Sequence, residues 1–302
     1  MTSLPFVTVD VFTTTRFAGN PLAIVKIPKG RDVATAQMQS IASEFNLSET
    51  VFLYENNTND ETEPEWRIRI FMVGAELPFA GHPTIGTACY ALGTLANNSR
   101  HGKLHCNAGP IELEYDGEVA KASIPHNVHI HTEHEVTAEQ IYHLQPAIAK
   151  SPPPQSVDLV SPVKGMNFVC VELPSLEILA QVEASGKAIT PQLDVDWNTG
   201  FIGSYFYVID EQEGEKLTIR TRMIEKSLED PATGAAASGL AALLALKHKL
   251  RFAKFSITQG VEMGRRSEIG VEVTLTESLD KVKKVVLSGS ALKVMEGTVF
   301  CD

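Results

Sequence analysis

The first residues of the chain alternate between apolar and polar positions with the period of a β-strand. Val7, Val9 and Val11 fall on one face of the segment 6–12, and such alternation predicts a half-buried strand. A turn at 17–21 separates it from a second short apolar run. Comparable runs predict further strands at 22–25, 47–54, 66–73, 111–115, 120–124, 167–172, 205–209, 217–223, 270–275 and 285–289.

Three segments are predicted to be helical. Behind a possible cap at Asp32, apolar residues recur at spacings of four, three and four, at Ala34, Met38, Ile41 and Phe45. Two helices rich in alanine and glycine are predicted at 83–96 and 231–248. The small and apolar run 235–246 is about half of the ~20 residues needed to cross a bilayer, so it predicts a buried helix and no membrane span.

The two halves of the chain repeat one pattern of strand, Pro-x-x-Gly turn and small-residue helix. A shift of 153 positions superimposes the following pairs: Arg67-Ile68-Arg69 on Arg220-Thr221-Arg222, Pro78 on Pro231, Gly81 on Gly234, and Gly86 on Gly239. The repeat predicts two similar domains with equivalent turns directed into one cleft, and domain interfaces are favoured places for ligands.

Length, composition and charge narrow the class of protein. The 302 residues suggest two domains, and 43% hydrophobic with 21% charged residues describes a globular chain. A net charge of −11 argues against nucleic acid or an anionic membrane as partner. The four cysteines are far apart, which is typical of reduced thiols, and the start resembles no signal peptide. We therefore expect a cytoplasmic protein.

Two turns offer chemistry at helix starts. The segments 79–86 and 230–237 place glycine and other small residues where a helix begins, which leaves backbone N–H groups accessible to a carboxylate or phosphate. The alternative is that small residues only allow close packing. Neither turn matches a nucleotide-binding fingerprint.

A carboxylate on an apolar strand face is the second candidate. In the predicted strand 47–54, Glu49 shares a face with Leu47, Val51 and Leu53. Burial there would raise the pKa of Glu49 above its free value of about 4.3, toward the range of a general acid–base. The alternative is a strand end at which Glu49 reaches water or caps a turn.

Four histidines cluster in the Pro-rich stretch 125–154, at positions 126, 129, 131 and 134. His129 and His131 would share one face of a strand, but no Cys, Asp or Glu accompanies them in a known ligand pattern. We expect solvent-facing imidazoles and no metal.

Several motifs together resemble the PhzF family of phenazine-biosynthesis isomerases and their relatives. They occur in family order along the whole chain: Val9-Asp10-Val11-Phe12, Phe17-Ala18-Gly19-Asn20-Pro21-Leu22-Ala23, Ser48-Glu49-Thr50, Phe79-Ala80-Gly81-His82-Pro83-Thr84 and Asp230-Pro231-Ala232-Thr233-Gly234. The resemblance implies an α+β fold similar to diaminopimelate epimerase, with two pseudo-symmetric domains, each an antiparallel β-barrel around a central helix. We place the domains at 1–126, completed by the strand 289–302, and at 127–288.

The resemblance also implies roles for individual residues. Glu49 becomes the general acid–base, and His82 and Asp230 become its polar partners at the catalytic site, which lies between the domains. The substrate-binding residues are those of the opening motif and of the two helix starts: Asn20, Gly81, Thr233, Gly234 and Ala235. Asp10 lies near the site with a less defined role. No cofactor and no metal are implied.

The chain departs from its relatives at three positions. Epimerase relatives carry one cysteine in each helix-start turn, where this chain has Ala80 and Thr233, so a two-thiol racemase is disfavoured. Cys89 and Cys106 are interpreted as packing residues. Phenazine-pathway members commonly carry serine where this chain has Ala235, which puts the phenazine precursor in doubt as substrate.

Two functions of different classes remain. The first is a cofactor-independent isomerase that moves a proton within a small carboxylate-bearing substrate. The second is a non-catalytic small-molecule-binding or interaction protein on the same scaffold. In either case the family resemblance favours a homodimer.

Overall fold

The computed structural model describes residues 3–55, 63–197 and 200–301. The chain divides into two compact units, residues 1–124 with 287–302, and residues 125–286. Among the described residues, no helix combines the length and apolar character that a membrane crossing requires.

The first unit is mostly strand. Its elements are β1 Ser3–Val11, β2 Asn20–Ile27, α1 Thr35–Phe45, β3 Thr50–Tyr54, β4 Glu65–Phe71, β5 Glu76–Leu77, α2 Gly81–Tyr90, a π-helical turn Ala91–Leu95, β6 His101–Cys106, β7 Gly109–Tyr115 and β8 Val119–Ser123. The last strand, β17 Val282–Phe300, begins in the second unit and ends in the first.

The strands of the first unit close on themselves. β1 pairs antiparallel with β2, β2 parallel with β3, β3 antiparallel with β4 and β4 parallel with β6. β6, β7 and β8 follow antiparallel, and β17 pairs with both β8 and β1. In the described part of the chain these strands form a barrel of eight. Every residue of α2 is buried, so α2 is the central helix of this unit.

The second unit contains the remaining elements. They are β9 His129–Ile130, α3 Ala138–Leu144, a 3₁₀ turn Pro146–Ile148, β10 Ser156–Val163, β11 Met166–Glu172, α4 Leu176–Leu179, β12 Phe201–Glu213, β13 Lys216–Glu225, β14 Leu228–Asp230, α5 Gly234–Lys247, β15 Phe252–Gln259 and β16 Ser267–Leu275. Most of α5 is buried, including its run of alanines and leucines.

The internal repeat is confirmed by the order of strand pairing. β10 pairs antiparallel with β11, β11 parallel with β12, β12 antiparallel with β13, β13 parallel with β15 and β15 antiparallel with β16. The pairings from β1 to β7 follow the same order of directions. An ion pair is repeated as well. Arg69 holds Glu76 with two nitrogens at 2.8 and 2.6 Å, and Arg222 holds Glu229 in the same way at 2.8 and 2.7 Å.

Some local predictions were wrong. The strand predicted to begin at 47 begins at Thr50, so Glu49 precedes the strand. The first long helix is capped by Ala34, whose N–H is accepted by the side chain of Gln37, and not by Asp32. Within the described residues two strand pairings of each unit are parallel, so the barrel strands are mixed and not uniformly antiparallel.

Candidate active site

Glu49 and His82 form a hydrogen-bonded pair in the first unit. Glu49 directly precedes β3, and His82 is the second residue of α2. The distance from His82 Nδ1 to Glu49 Oε2 is 3.0 Å, and the side chains are 4% and 18% exposed respectively. The start of β3 fixes the position of Glu49, and the first turn of α2 fixes the position of His82.

The pKa of Glu49 is lowered, where the sequence had suggested that it would be raised. Burial does act to raise it, but the charge of His82 and hydrogen bonds from His82 and Ser48 outweigh burial. A carboxylate that accepts hydrogen bonds is stabilised in its ionised form. Glu49 is therefore ionised at neutral pH and ready to accept a proton.

The other nitrogen of His82 is buried and unmatched. Nε2 has no hydrogen-bond partner within residues 3–55, 63–197 and 200–301. A buried polar atom without a partner costs free energy, and such atoms are often satisfied by a ligand. The start of α2 adds donors, because the N–H groups of Gly81 and His82 precede the first intrahelical bond, from Thr84 N–H to Ala80 O.

The second turn brings Asp230 and Thr233 together at the start of α5. Thr233 Oγ1 donates to Asp230 Oδ2 at 2.5 Å. Thr233 is the N-cap position, and its carbonyl accepts the N–H of Ala237 at 2.9 Å. The N–H groups of Gly234 and Ala235 lie in the first turn, before any intrahelical bond.

Two buried residues that the sequence analysis missed support this turn. Gln259 Oε1 accepts hydrogen bonds from Tyr205 OH at 3.0 Å and Thr233 N–H at 3.3 Å. Its Nε2 donates to Asp230 O at 2.8 Å and Thr233 Oγ1 at 3.0 Å. The sequence does carry a signal for Gln259, because its amide lies on the same face of the strand as the apolar residues 253, 255 and 257. The signal was not used because β15 was not predicted.

The opening motif forms a constrained loop after β1. Asp10 is 4% exposed and accepts the N–H of Phe17 at 2.6 Å. Phe12, Phe17 and Gly19 all have positive φ, at 62°, 67° and 68°, a region that costs energy for side chains other than glycine. The buried carboxylate of Asp10 thus secures a strained loop.

Asn20 follows that loop and lies beside the catalytic candidate. It is the first residue of β2 and is 2% exposed. The hydroxyl of Ser48, the neighbour of Glu49 in the chain, is 3.5 Å from Asn20 Oδ1. The structure therefore brings Asn20, Glu49 and His82 into one region of the first unit.

The cysteines and histidines outside these turns differ in their surroundings. All four cysteines lie in the described residues, and none of them forms a disulfide there. Burial raises the pKa of Cys89 to about 12, which fits a packing residue. The expectation of solvent-facing imidazoles is wrong for His131, which is 6% exposed.

The family follows from comparison with known proteins. The fold is that of the PhzF proteins: the phenazine biosynthesis protein of the PhzF family from Bacillus anthracis superposes with a TM-score of 0.76 at 21% identity, over 99% of this chain and 100% of that one. The family model for phenazine biosynthesis-like proteins matches residues 9–297. The chain belongs to the PhzF family.

Curated relatives identify the class of reaction. An uncharacterised isomerase from Mesorhizobium japonicum is 34% identical over 96% of this chain and 97% of its own length. The trans-2,3-dihydro-3-hydroxyanthranilate isomerase of Pseudomonas fluorescens is 32% identical over 97% and 98%. The chain is a PhzF-like isomerase.

Proposed function

We propose that this isomerase moves a proton within a small carboxylate-bearing substrate, without a cofactor, and that Glu49 is the general acid–base. The observation that carries the proposal is the Glu49–His82 pair at 3.0 Å, with His82 Nε2 buried and unpartnered in the described residues. A carboxylate held by a histidine at a helix start is suited to proton transfer.

The proposed reaction uses one carboxylate twice. Ionised Glu49 takes a proton from a carbon next to a double bond or carboxyl group, and the electron pair of the broken C–H bond shifts along the conjugated system. Neutral Glu49 then returns the proton to another carbon. Burial favours the neutral form of Glu49, and the His82 interaction favours the ionised form. The net shift of the pKa is downward, so Glu49 starts ionised and is neutral only while it holds the proton of the substrate.

The backbone donors at the helix starts suit the carboxylate of the substrate. We assign this role to the amides of Gly81 and His82, where the helix also contributes about half a positive charge. By the same reasoning the amides of Gly234 and Ala235 form a second anion-binding helix start. Thr233 orients the carboxylate of Asp230, which we assign as a polar partner of the substrate.

The name of the Pseudomonas relative supplies the first substrate to assay, trans-2,3-dihydro-3-hydroxyanthranilate. A wider panel of unsaturated aliphatic and aromatic acids should be assayed as well. The resemblance implies a serine hydroxyl at position 235 in phenazine-pathway members, and this chain has alanine there.

The test is proton exchange with solvent. Each acid is incubated with the protein in D₂O, and deuterium incorporation and double-bond position are followed by NMR and mass spectrometry. Glu49→Gln is expected to retain ligand binding and to lose turnover by ~10³-fold, within the range typical of a general acid–base. Glu44→Gln, the same change at an exposed position of α1, is the matched control.

Two results would contradict the proposal. Full activity of Glu49→Gln would remove the assigned base. Binding of the acids by the wild type with no deuterium incorporation and no isomerisation across the panel would leave a binding protein in place of the proposed reaction.

We further propose a homodimer in the cytoplasm. Multi-angle light scattering checks the assembly, with a single monomer mass at all concentrations as the contradicting result. Fractionation of the source cells checks the location.

A further inference from the structure

Three side chains from distant parts of the second unit lie close together. His129 lies in β9 and His131 directly follows that strand, whereas Asp194 belongs to the segment between α4 and β12. The distance from His129 Nε2 to Asp194 Oδ2 is 2.8 Å, and that from His131 Nδ1 to Asp194 Oδ1 is 3.6 Å. One donor atom of each residue lies within 4.8 Å of the other two.

The ring of His131 is held in the tautomer that a metal ion needs. Its Nδ1 accepts the N–H of Asp194 at 3.1 Å, so this nitrogen carries the lone pair of the ring, and a metal ion binds there in exchange for that hydrogen bond. Its Nε2 therefore carries the proton and donates to Ser161 Oγ at 2.8 Å. Ser161 in turn donates to Asn167 Oδ1 at 2.5 Å. Metal-ligating histidines are oriented in this way through their second nitrogen.

The other two donors are oriented as well. The ring of His129 stacks on Trp197, with centroids 4.5 Å apart and planes 9° from parallel. The carboxylate of Asp194 accepts the backbone N–H groups of Thr132 at 3.2 Å and Glu133 at 3.1 Å. These bonds fix the carboxylate as outer-shell partners do in metal sites.

Access differs between the two imidazoles. The side chain of His129 is 32% exposed, whereas that of His131 is 0% exposed. One side of the group is therefore buried and rigid, and the other faces solvent. An ion can enter from the His129 side and keep water as its remaining ligand, as open three-ligand sites do.

We propose that His129, His131 and Asp194 bind one divalent transition-metal ion of the zinc class. Two imidazoles and one carboxylate favour Zn²⁺, Co²⁺ or Ni²⁺ over Mg²⁺ and Ca²⁺, which prefer sites made only of oxygen. Tetrahedral ligand atoms about 2.0–2.2 Å from zinc lie roughly 3.3 Å apart. The 2.8 and 3.6 Å separations from Asp194 are near this value, and the two imidazoles, whose ligand atoms lie within 4.8 Å of each other, approach the ion as it binds. The ion would fasten the Asp194 segment to β9.

The test is direct metal binding by untagged, chelator-treated protein. Isothermal titration with Zn²⁺ is expected to give one ion per chain, and Co²⁺ is expected to give the visible absorption of a four-coordinate N/O site. His129→Ala, at the exposed side, is expected to weaken Zn²⁺ binding ~100-fold, and Ser161→Ala ~10-fold through the orientation of His131. His134→Ala, in the same histidine-rich stretch, is the control and should bind like the wild type.

Thermal melting without metal establishes that each variant is folded before binding is compared. Zn²⁺ should then raise the melting temperature of the wild type and of His134→Ala but not that of His129→Ala. The proposal is overturned if the wild type shows no stoichiometric binding, or if His134→Ala loses as much affinity as His129→Ala. Both readouts are independent of isomerase activity.

Discussion

Gln259 holds Thr233 at two points: its Oε1 accepts the Thr233 N–H at 3.3 Å, and its Nε2 donates to Thr233 Oγ1 at 3.0 Å. The side chain of Thr233 is thereby left to donate its own proton to Asp230 at 2.5 Å. The turn that precedes α5 is thus set from a strand that follows α5 in the chain.

Replacement of Gln259 by leucine should displace Thr233 in the turn before α5 while the protein still folds. The buried Tyr205 hydroxyl and the Thr233 N–H lose their acceptor, a cost of about 1–3 kcal/mol in the free energy of unfolding. Thr233 also becomes free to rotate away from Asp230. We expect a lower melting temperature and a lower kcat for whichever acid the assay identifies. Wild-type kcat in Gln259→Leu would contradict the positioning role.

The pKa of Glu49 should depend on His82. Burial raises the pKa, but the charge and hydrogen bond of His82 together with the hydrogen bond of Ser48 outweigh it. In His82→Leu burial acts with little opposition, so we expect the pKa of Glu49 to rise above its ordinary value. A carbon-detected NMR titration of the Glu49 carboxyl group measures the change. An unchanged midpoint would mean that the contact does not control ionisation.

The same shift predicts a pH dependence of stability. Because the folded-state pKa of Glu49 is lowered, its contribution is present above the unfolded value near 4.5 and is lost as the pH falls through the folded pKa. Glu49→Gln should therefore lose less stability than the wild type as the pH is lowered from 5 toward the folded pKa. Urea unfolding at several pH values tests this, and parallel curves for the two proteins would contradict it.

Ala235 offers a gain-of-function test of substrate choice. The family resemblance implies serine at this position, at the start of the second helix, in phenazine-pathway members. If a hydroxyl there contacts the phenazine precursor, Ala235→Ser should raise kcat/KM for trans-2,3-dihydro-3-hydroxyanthranilate about tenfold, the worth of one hydrogen bond. Ala235→Gly supplies the control without a hydroxyl. Equal effects of the two changes would exclude a role for the hydroxyl.

The repeat and the periodicity predicted two similar units of strands and small-residue helices, whereas the barrel around a central helix was predicted from the family resemblance. Arg69 and Arg222 fall at the repeat spacing of 153, and their ion pairs occupy equivalent places in the two units. Parallel pairing of β2 with β3 could not be predicted, because alternation reports which face is buried and carries no information on strand direction. The strand β15 was missed although Ala253, Phe255 and Ile257 alternate with lysine and serine as in a half-buried strand.

For the site, local motifs located the side chains but not their partners. His82 and Glu49 were identified by resemblance, yet their contact joins positions 33 apart, and the lowered pKa of Glu49 follows from that contact. Gln259 lies 26 positions from Thr233, and Asp194 lies 63 positions from His131. Such partners are set by topology, which a single sequence read locally does not specify.

The two helix glycines at equivalent repeat positions should respond in opposite directions to alanine. A Cβ on Gly86 would lie 2.6 Å from Val11 Cγ2 and 2.7 Å from Leu22 Cδ2, both in fully buried side chains that have little room to move. Gly86→Ala should therefore destabilise the protein by about 1–3 kcal/mol through overpacking.

A Cβ on Gly239 would meet nothing nearer than Pro162 Cδ at 3.4 Å. Gly239→Ala should be neutral or stabilising by up to about 1 kcal/mol, because alanine loses less backbone entropy in a helix. Denaturant unfolding of the two variants measures both, and equal destabilisation would show that close packing does not distinguish the two helices.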